Sequence, residues 1–244
     1  MSVVLPLPPQ PIDAPLPWGP VMRGLRWGNG PGVAWFLHEP GRDIDAWRGL
    51  PAQIARSLSL QSIALDLPGH GLSDDPWEPS RMHELVRYLL SGQVERSTSP
   101  GMTLTPLPLS PCAQGEGGMF VIAAGSSAFT SLLHATEPGL SGLVCLSPRF
   151  PSAPDLGPIP PRTPHIPKLL FAGSRADGDL ATARRLATTT GGWAVVNSVP
   201  VVERGTELLA TPWQDRIGEA IVAFLRDCRL RPAHNPGAIA RRPR

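Results

Sequence analysis

The stretch from Met119 to Thr136, MFVIAAGSSAFTSLLHAT, constrains the fold more than any other part of the chain. It opens with an apolar run, 119–124, that has the length of a strand and is too short for a helix. Gly125 and two serines follow, and apolar residues then recur at helical spacing from Phe129 onward. The pattern predicts a buried strand, a tight turn and a helix in immediate succession.

A strand, a Gly/Ser turn and a helix form the layout of a nucleophile elbow, in which a serine hydroxyl stands above the edge of a sheet. Gly125, two residues before Ser127, removes a side chain that would clash at such a bend. The helix N-terminus and the backbone N–H of Ala128 would then face a developing oxyanion. Ser126 is the alternative nucleophile, because small residues also lie two before and two after it. The same stretch fits an ordinary turn in which either serine is the helix N-cap.

Composition limits the class of protein. A chain of 244 residues with 41% hydrophobic residues fits one α/β domain with a sizeable core. A net charge of +2 argues against nucleic acid or a membrane surface as a partner. Three widely spaced cysteines predict neither a zinc site nor a disulfide framework, so we expect no metal. We see no apolar run long enough for a membrane span and no signal-peptide pattern, so we expect a cytoplasmic protein.

Apolar runs and helical patterns alternate along the chain. Strands are predicted at residues 21–28, 33–37, 62–65, 119–124, 142–146, 168–172 and 194–202. Helical spacing predicts helices at 47–60, 82–90, 180–188 and 213–227, besides the one after the central turn. The alternation predicts a mostly parallel sheet with helices on both faces. Because ligands bind at the carboxyl ends of such strands, the loops at His38, Asp66–Asp74 and Ser127 should converge there.

Proline content and polarity divide the chain further. Residues 1–20 are predicted to be a proline-rich arm, 21–228 a single domain and 229–244 a basic disordered tail. Within the domain, residues 92–118 are rich in Pro, Gly, Ser and Thr without any period, which predicts a disordered insertion. Residues 149–167 are too short and too interrupted by proline for a helical lid, so we expect no lid domain.

The stretch FLHEPGRDIDAWRGLPAQIARSLSLQSIALDLPGHGLSDDPW resembles the α/β-hydrolase superfamily, whose members show a strand ending in His-Gly and then Asp-x-Pro-Gly-His-Gly-x-Ser. Residues Asp66 to Ser73 match the second block at every fixed position, and His38 matches the first, but Glu39 stands where glycine is usual. The resemblance covers roughly residues 20–90 and 119–227. It implies a small, cap-less bacterial serine hydrolase, esterase-like, acting without a cofactor on a small ester or acyl substrate. His38, Glu39, Ala128 and His70 would lie at or behind the oxyanion site.

The resemblance also implies a triad in the chain order Ser, acid, His. Ser127 resembles the nucleophile, and Asp177 resembles the acid, with Asp179 as the alternative. The segment VERGTELL resembles the family's His-Gly-Thr-x-Leu-Leu, so Arg204 stands where the histidine is expected. Arginine stays protonated and cannot serve as a general base, although it could pair with Asp177. His38 or His70 could approach the nucleophile in its place.

Two functions therefore stay open. The chain is either a hydrolase of small esters with a defective triad, or a catalytically inactive pseudo-hydrolase that binds a ligand or partner or is a decayed gene product. A dinucleotide-binding module is disfavoured, because no G-x-G-x-x-G follows the first strand.

Overall fold

The structure is a computed structural model that describes residues 8–91, 117–135, 139–150 and 166–230. Its centre is an eight-stranded sheet in the order β1-β2-β4-β3-β5-β6-β7-β8. The strands are β1 (Gln10–Pro15), β2 (Val21–Trp27), β3 (Val33–Leu37), β4 (Gln61–Leu65), β5 (Met119–Ala124), β6 (Leu140–Leu146), β7 (Lys168–Gly173) and β8 (Ala194–Val199). β2 runs antiparallel to β1 and β4, and all other neighbouring pairs are parallel.

Helices cover both faces of the sheet. They are α1 (Leu50–Leu58), α2 (Met82–Leu90), α3 (Gly125–Leu133), α4 (Asp179–Thr189) and α5 (Gln214–Leu230). α1 and α5 contribute to the core on one face, and α2, α3 and α4 contribute to the core on the other. β3 and β5 are buried at every position, because a strand covered on both faces has no side for polar residues. The predicted α/β fold class, with a mostly parallel sheet between helices, is confirmed.

Some predicted boundaries differ from the structure. The helix predicted over 47–60 is a 3₁₀ turn, Ile44–Trp47, followed by α1, and Arg48 between them has a φ of 51° that interrupts the helix. The last predicted strand ends at Val199, and α5 continues through Leu230, two residues into the predicted tail. No helix in the described ranges is long and apolar enough to cross a membrane.

Several predicted segments lie wholly or largely outside the described residues. These are the start of the arm, the insertion up to residue 116, residues 151–165 of the segment predicted to lack a lid, and the tail beyond residue 230. Part of the arm is described as β1, which pairs only with β2 at the edge of the sheet, as its prolines predict. Gly118, the last residue of the predicted insertion, accepts a hydrogen bond from the backbone N–H of Val33 at 3.1 Å.

Candidate active-site pocket

The loop after β4 carries the block that matches the family at every fixed position, and its polar groups bond to the main chain. Asp66 is buried, and its carboxylate oxygens accept from the backbone N–H groups of Ile44 at 2.8 Å and Leu72 at 2.9 Å. Ser73 Oγ donates to the Asp66 carbonyl at 2.7 Å and accepts from the backbone N–H of Arg23 at 2.8 Å. These side chains replace a hydrogen-bonded ladder where the chain leaves the sheet.

The two glycines of this block give the carboxylate its space. Gly69 and Gly71 have φ values of 72° and 51°, in the left-handed region that glycine adopts without strain. A Cβ on Gly71 would lie 2.0 Å from Oδ2 of Asp66. The block therefore specifies the shape of a loop. The hydrogen bonds of Asp66 and Ser73 hold the main chain in that shape.

His38 follows β3 and is fully buried. Its Nε2 accepts from the backbone N–H of Leu67 at 3.0 Å, so Nδ1 carries the proton of the neutral ring and donates to the Glu39 carbonyl at 2.8 Å. Burial lowers the pKa of His38, which favours this neutral form. Neither ring nitrogen is left to take a proton from a nucleophile.

His70 is held in the same way. Its Nε2 accepts from the backbone N–H of Gly41 and its Nδ1 contacts the Pro68 carbonyl, both at 2.9 Å. Both histidines at this edge of the sheet therefore fasten loops, and neither fits the expectation that it could replace the missing base.

The bend between β5 and α3 has its strained apex at Gly125. β5 ends at Ala124, α3 begins at Gly125, and the φ of Gly125 is 55°. A nucleophile elbow places its nucleophile on the strained residue of this turn. The structure thus puts Gly125, rather than Ser127, at the apex and corrects the predicted register of the bend. The residue at the apex therefore has no side chain.

The two predicted serines follow the apex and separate. Ser127 is fully buried, and its Oγ donates to the His38 carbonyl at 2.6 Å. Ala128 is buried beside it and does not line the pocket described below, so its N–H does not fit the predicted oxyanion role. Ser126 is half-buried and lines the pocket. Neither serine caps the helix, because Ala124 holds the N-cap position and supplies no side-chain hydrogen bond.

A pocket of about 890 Å³ opens at this edge of the sheet. The loops after β3, β5, β6 and β8 all contribute to it, so the predicted convergence of loops at the carboxyl ends is observed in part. Its lining combines charged, small and apolar side chains: Glu39, Arg42, Trp77, Met82, His83, Gly125, Ser126, Thr130, Arg149, Phe150, Arg204, Gly205 and Glu207, with three residues from 40 to 80.

Glu39 fills the centre of this site. Its Oε1 accepts from the backbone N–H and the Oγ1 of Thr206, at 3.0 and 2.9 Å, while its Oε2 is buried without a partner. A Cβ on Gly125 would lie 2.7 Å from the Cβ of Glu39, and a Cβ on Gly205 would lie 2.4 Å from its Oε1. The glutamate therefore fits only because both facing residues are glycine.

The predicted acids and Arg204 lie apart from the bend. Arg204 Nη2 donates to the main-chain carbonyl of Asp177 at 2.6 Å, so the expected pairing exists but does not use the carboxylate. Asp177 is exposed and does not line the pocket. Asp179 is buried at the start of α4, and its Oδ2 accepts from the backbone N–H of Gly173 at 3.0 Å. Neither carboxylate is brought to Ser127.

A pair of histidines lies farther along the same wall. His83 on α2 lines the pocket, and its Nδ1 lies 3.0 Å from Nε2 of His134 at the end of α3. Burial lowers the pKa of both rings, that of His134 to about 4. Within the described ranges, no three His, Cys, Asp or Glu side chains are grouped to hold a metal ion.

Sequence reasoning placed Gly125 before the apex rather than at it, and it missed Thr206, Arg149 and Phe150 as parts of the site. One signal could have identified Gly125 as the apex: a glycine directly after a buried strand is the residue best able to take the left-handed apex of a bend. Arg149 and Phe150 reach the pocket, and Thr206 reaches Glu39, through tertiary structure, which no local pattern carries.

No protein-family model and no curated protein sequence matches the chain. Solved structures do match. A predicted CIB-like hydrolase from Thermoplasma acidophilum is 13% identical, with a TM-score of 0.62 over 90% of this chain and 99% of its own. A serine hydrolase involved in carbazole degradation is 15% identical, with a TM-score of 0.62 over 92% and 99%. An esterase from Pyrococcus furiosus is 10% identical, with a TM-score of 0.63 over 90% and 91%. Together with the strand order, this likeness shows that the protein has the α/β-hydrolase fold.

Proposed function

We propose that this protein binds a small ligand in the pocket at the carboxyl edge of the sheet and does not hydrolyse esters through an activated serine. One observation carries the proposal. The apex of the strand-to-helix bend is Gly125, and the side chain of Glu39 fills the space in which a nucleophile would stand. A covalent mechanism needs an activated nucleophile at that place.

The base and the acid support the same conclusion. Arg204 stands where the base is expected, and a guanidinium cannot take a proton at physiological pH. His38 and His70 each use both ring nitrogens on the main chain. Asp177 is exposed outside the pocket, so it does not orient an imidazole there. The residues expected to act as base and acid therefore do not form a triad with either serine in the part of the chain that the structure describes.

The pocket itself favours binding. A volume of about 890 Å³ lies within the range of small-molecule sites, roughly 300–1,000 Å³. In open α/β sheets ligands bind outside the carboxyl ends of the strands, which is where this pocket lies. Solved structures with the same fold include a hydrolase and an esterase, which fits a site for a small ligand. Glu39 packs against the apex, so it limits catalysis through a nucleophile there and leaves the rest of the pocket open to a ligand.

A second candidate function is ester hydrolysis through Ser126. This serine lines the pocket together with Thr130 and His83, and its hydroxyl has no hydrogen bond to a described residue. It would act as nucleophile from the first turn of α3, one residue past the apex.

Hydrolysis of p-nitrophenyl acetate and butyrate tests the proposal. We expect the wild-type protein, Ser126→Ala and Arg204→His to show the same background rate, because none of them has a nucleophile at the apex. A wild-type rate that is lost in Ser126→Ala would replace the proposal with the second candidate. Ester hydrolysis above background in Arg204→His alone would contradict the proposal, because it would show that the protein has a functional nucleophile and lacks only a base.

A further inference from the structure

The charges that line the pocket do not cancel. Three arginines line it, and one of them, Arg42, is neutralised by an ion pair with Glu207. Arg204 donates one N–H to the main-chain carbonyl of Asp177. Because that carbonyl is neutral, the positive charge of Arg204 is not compensated. Arg149 forms no ion pair with a carboxylate in the part of the chain that the structure describes. Two guanidinium groups are therefore free to bind an anion.

The negative side of the pocket is weaker. Besides Glu207, Glu39 is the only acidic residue among the described lining residues, and its Oε1 is occupied by two donors from Thr206. α3 also begins at the pocket with Gly125, and the N-terminus of a helix carries a partial positive charge. The site retains a positive excess opposite its glutamate.

Two aromatic rings form apolar walls whose positions are fixed. Phe150 is 44% exposed, yet its ring lies 4.7 Å from the ring of Phe129 and 5.8 Å from the guanidinium of Arg185, measured to its centroid. Trp77 packs edge-on against His70 with centroids 5.2 Å apart. Partly exposed aromatic side chains held in place beside guanidinium groups suit a planar apolar group that carries a negative charge.

We propose that the ligand of this pocket is a small aromatic carboxylate, with its carboxylate on Arg149 and Arg204 and its ring against Phe150 and Trp77. This inference rests on the proposed function, because a hydrolase would release such an acid as a product and a binding protein retains it. Arginine suits the role because its planar fork can meet both oxygens of a carboxylate.

Calorimetric titration of the full chain with 3-phenylpropionate and with its uncharged amide tests the inference. We expect the acid to bind at least about tenfold more tightly than the amide, because only the acid makes charge-assisted hydrogen bonds. Arg149→Gln and Arg204→Gln should each weaken acid binding about tenfold and leave the amide unchanged. Arg204→Lys should retain more acid affinity than Arg204→Gln, because it keeps the charge.

Two further variants separate charge from shape. Phe150→Ala should weaken the acid and the amide alike, since both share the ring. Arg226→Gln, on the exposed side of α5 and outside the pocket, is the matched control and should change neither affinity. Melting curves of each variant establish that it is folded before its affinity is compared.

The outcomes distinguish the two proposals. Equal affinities for acid and amide, or acid binding that both glutamine variants leave intact, would overturn the carboxylate assignment while the pocket stayed a binding site. Failure of both compounds to bind would also overturn it. Ester turnover through a serine would instead overturn the proposed function, whatever the acid does.

Discussion

The loop Asp66–Asp74 and the bend at Gly125 lie after two strands that have only β3 between them, yet they differ in kind. The loop matches the family pattern throughout, and its side chains bond to neighbouring main chain. The bend has Gly125 at its left-handed position, and Glu39 packs against that glycine on the side of the pocket. A motif match can therefore report on loop architecture while the function depends on a few other positions.

Energetics explain why the two regions can diverge. The buried Asp66 carboxylate satisfies two main-chain N–H groups, so its loss costs stability directly. The bend faces an open pocket, and a pair of compatible changes there leaves the core untouched. The stability of the fold therefore depends less on which side chains face the pocket.

The largest effect should come from the loop. Asp66→Ala leaves the backbone N–H groups of Ile44 and Leu72 without their acceptor, and we expect the free energy of unfolding to fall by about 3 kcal/mol. Asp177→Ala, at an exposed carboxylate, is the control and should change it by less than about 0.5 kcal/mol. Urea denaturation measures both. Similar losses in the free energy of unfolding for Asp66→Ala and Asp177→Ala would contradict the structural role of the loop.

The bend should respond to a double-mutant cycle. Gly125→Ala should lower the free energy of unfolding by about 2–3 kcal/mol, because its Cβ meets Glu39 and its φ is positive. In a Glu39→Gly background the steric part should disappear, which gives a coupling of about 1–2 kcal/mol. Gly178→Ala, with a φ of 70° and open space around it, is the control and should cost about 1 kcal/mol with no coupling. If the changes in the free energy of unfolding at positions 39 and 125 were additive, the close contact between Glu39 and Gly125 would be contradicted.

Much of the fold could be predicted from the sequence, because buried strands and amphipathic helices leave local patterns. The predicted ranges 33–37 and 82–90 agree with β3 and α2 at both ends. The register of the bend could not be fixed, since G-x-S spacing fits more than one apex and the backbone φ decides among them. The bond between Glu39 and Thr206 joins residues 167 positions apart, and only the folded chain brings them together.

Acidification should lower the free energy of unfolding by a smaller amount, through His134 at the end of α3. Burial first, and then His83 and Arg87, lower the pKa of His134 to about 4 from its ordinary value of 6.5. The unfolded chain therefore binds this proton more readily, so the contribution of neutral His134 is complete above pH 6.5 and is lost as the pH falls through about 4. Because the ring is partly exposed, we expect a loss of only about 1 kcal/mol.

Thermal melts between pH 6.5 and 4.5 check this effect in wild type and in His134→Gln. The variant should lose less stability on acidification than the wild type does. An equal loss in both proteins would place the acid sensitivity elsewhere, for example at the buried His38 of the motif region, whose pKa burial also lowers.

We infer that the apex of the bend holds no nucleophile and that neither neighbouring serine replaces it. Incubation of the full chain with a fluorophosphonate probe, followed by intact-mass measurement and peptide mapping, tests it most directly. We expect the protein to stay unmodified under conditions in which an active serine hydrolase reacts to completion. An adduct on Ser126 or Ser127 would contradict it, because only a serine activated by a nearby base reacts in this way.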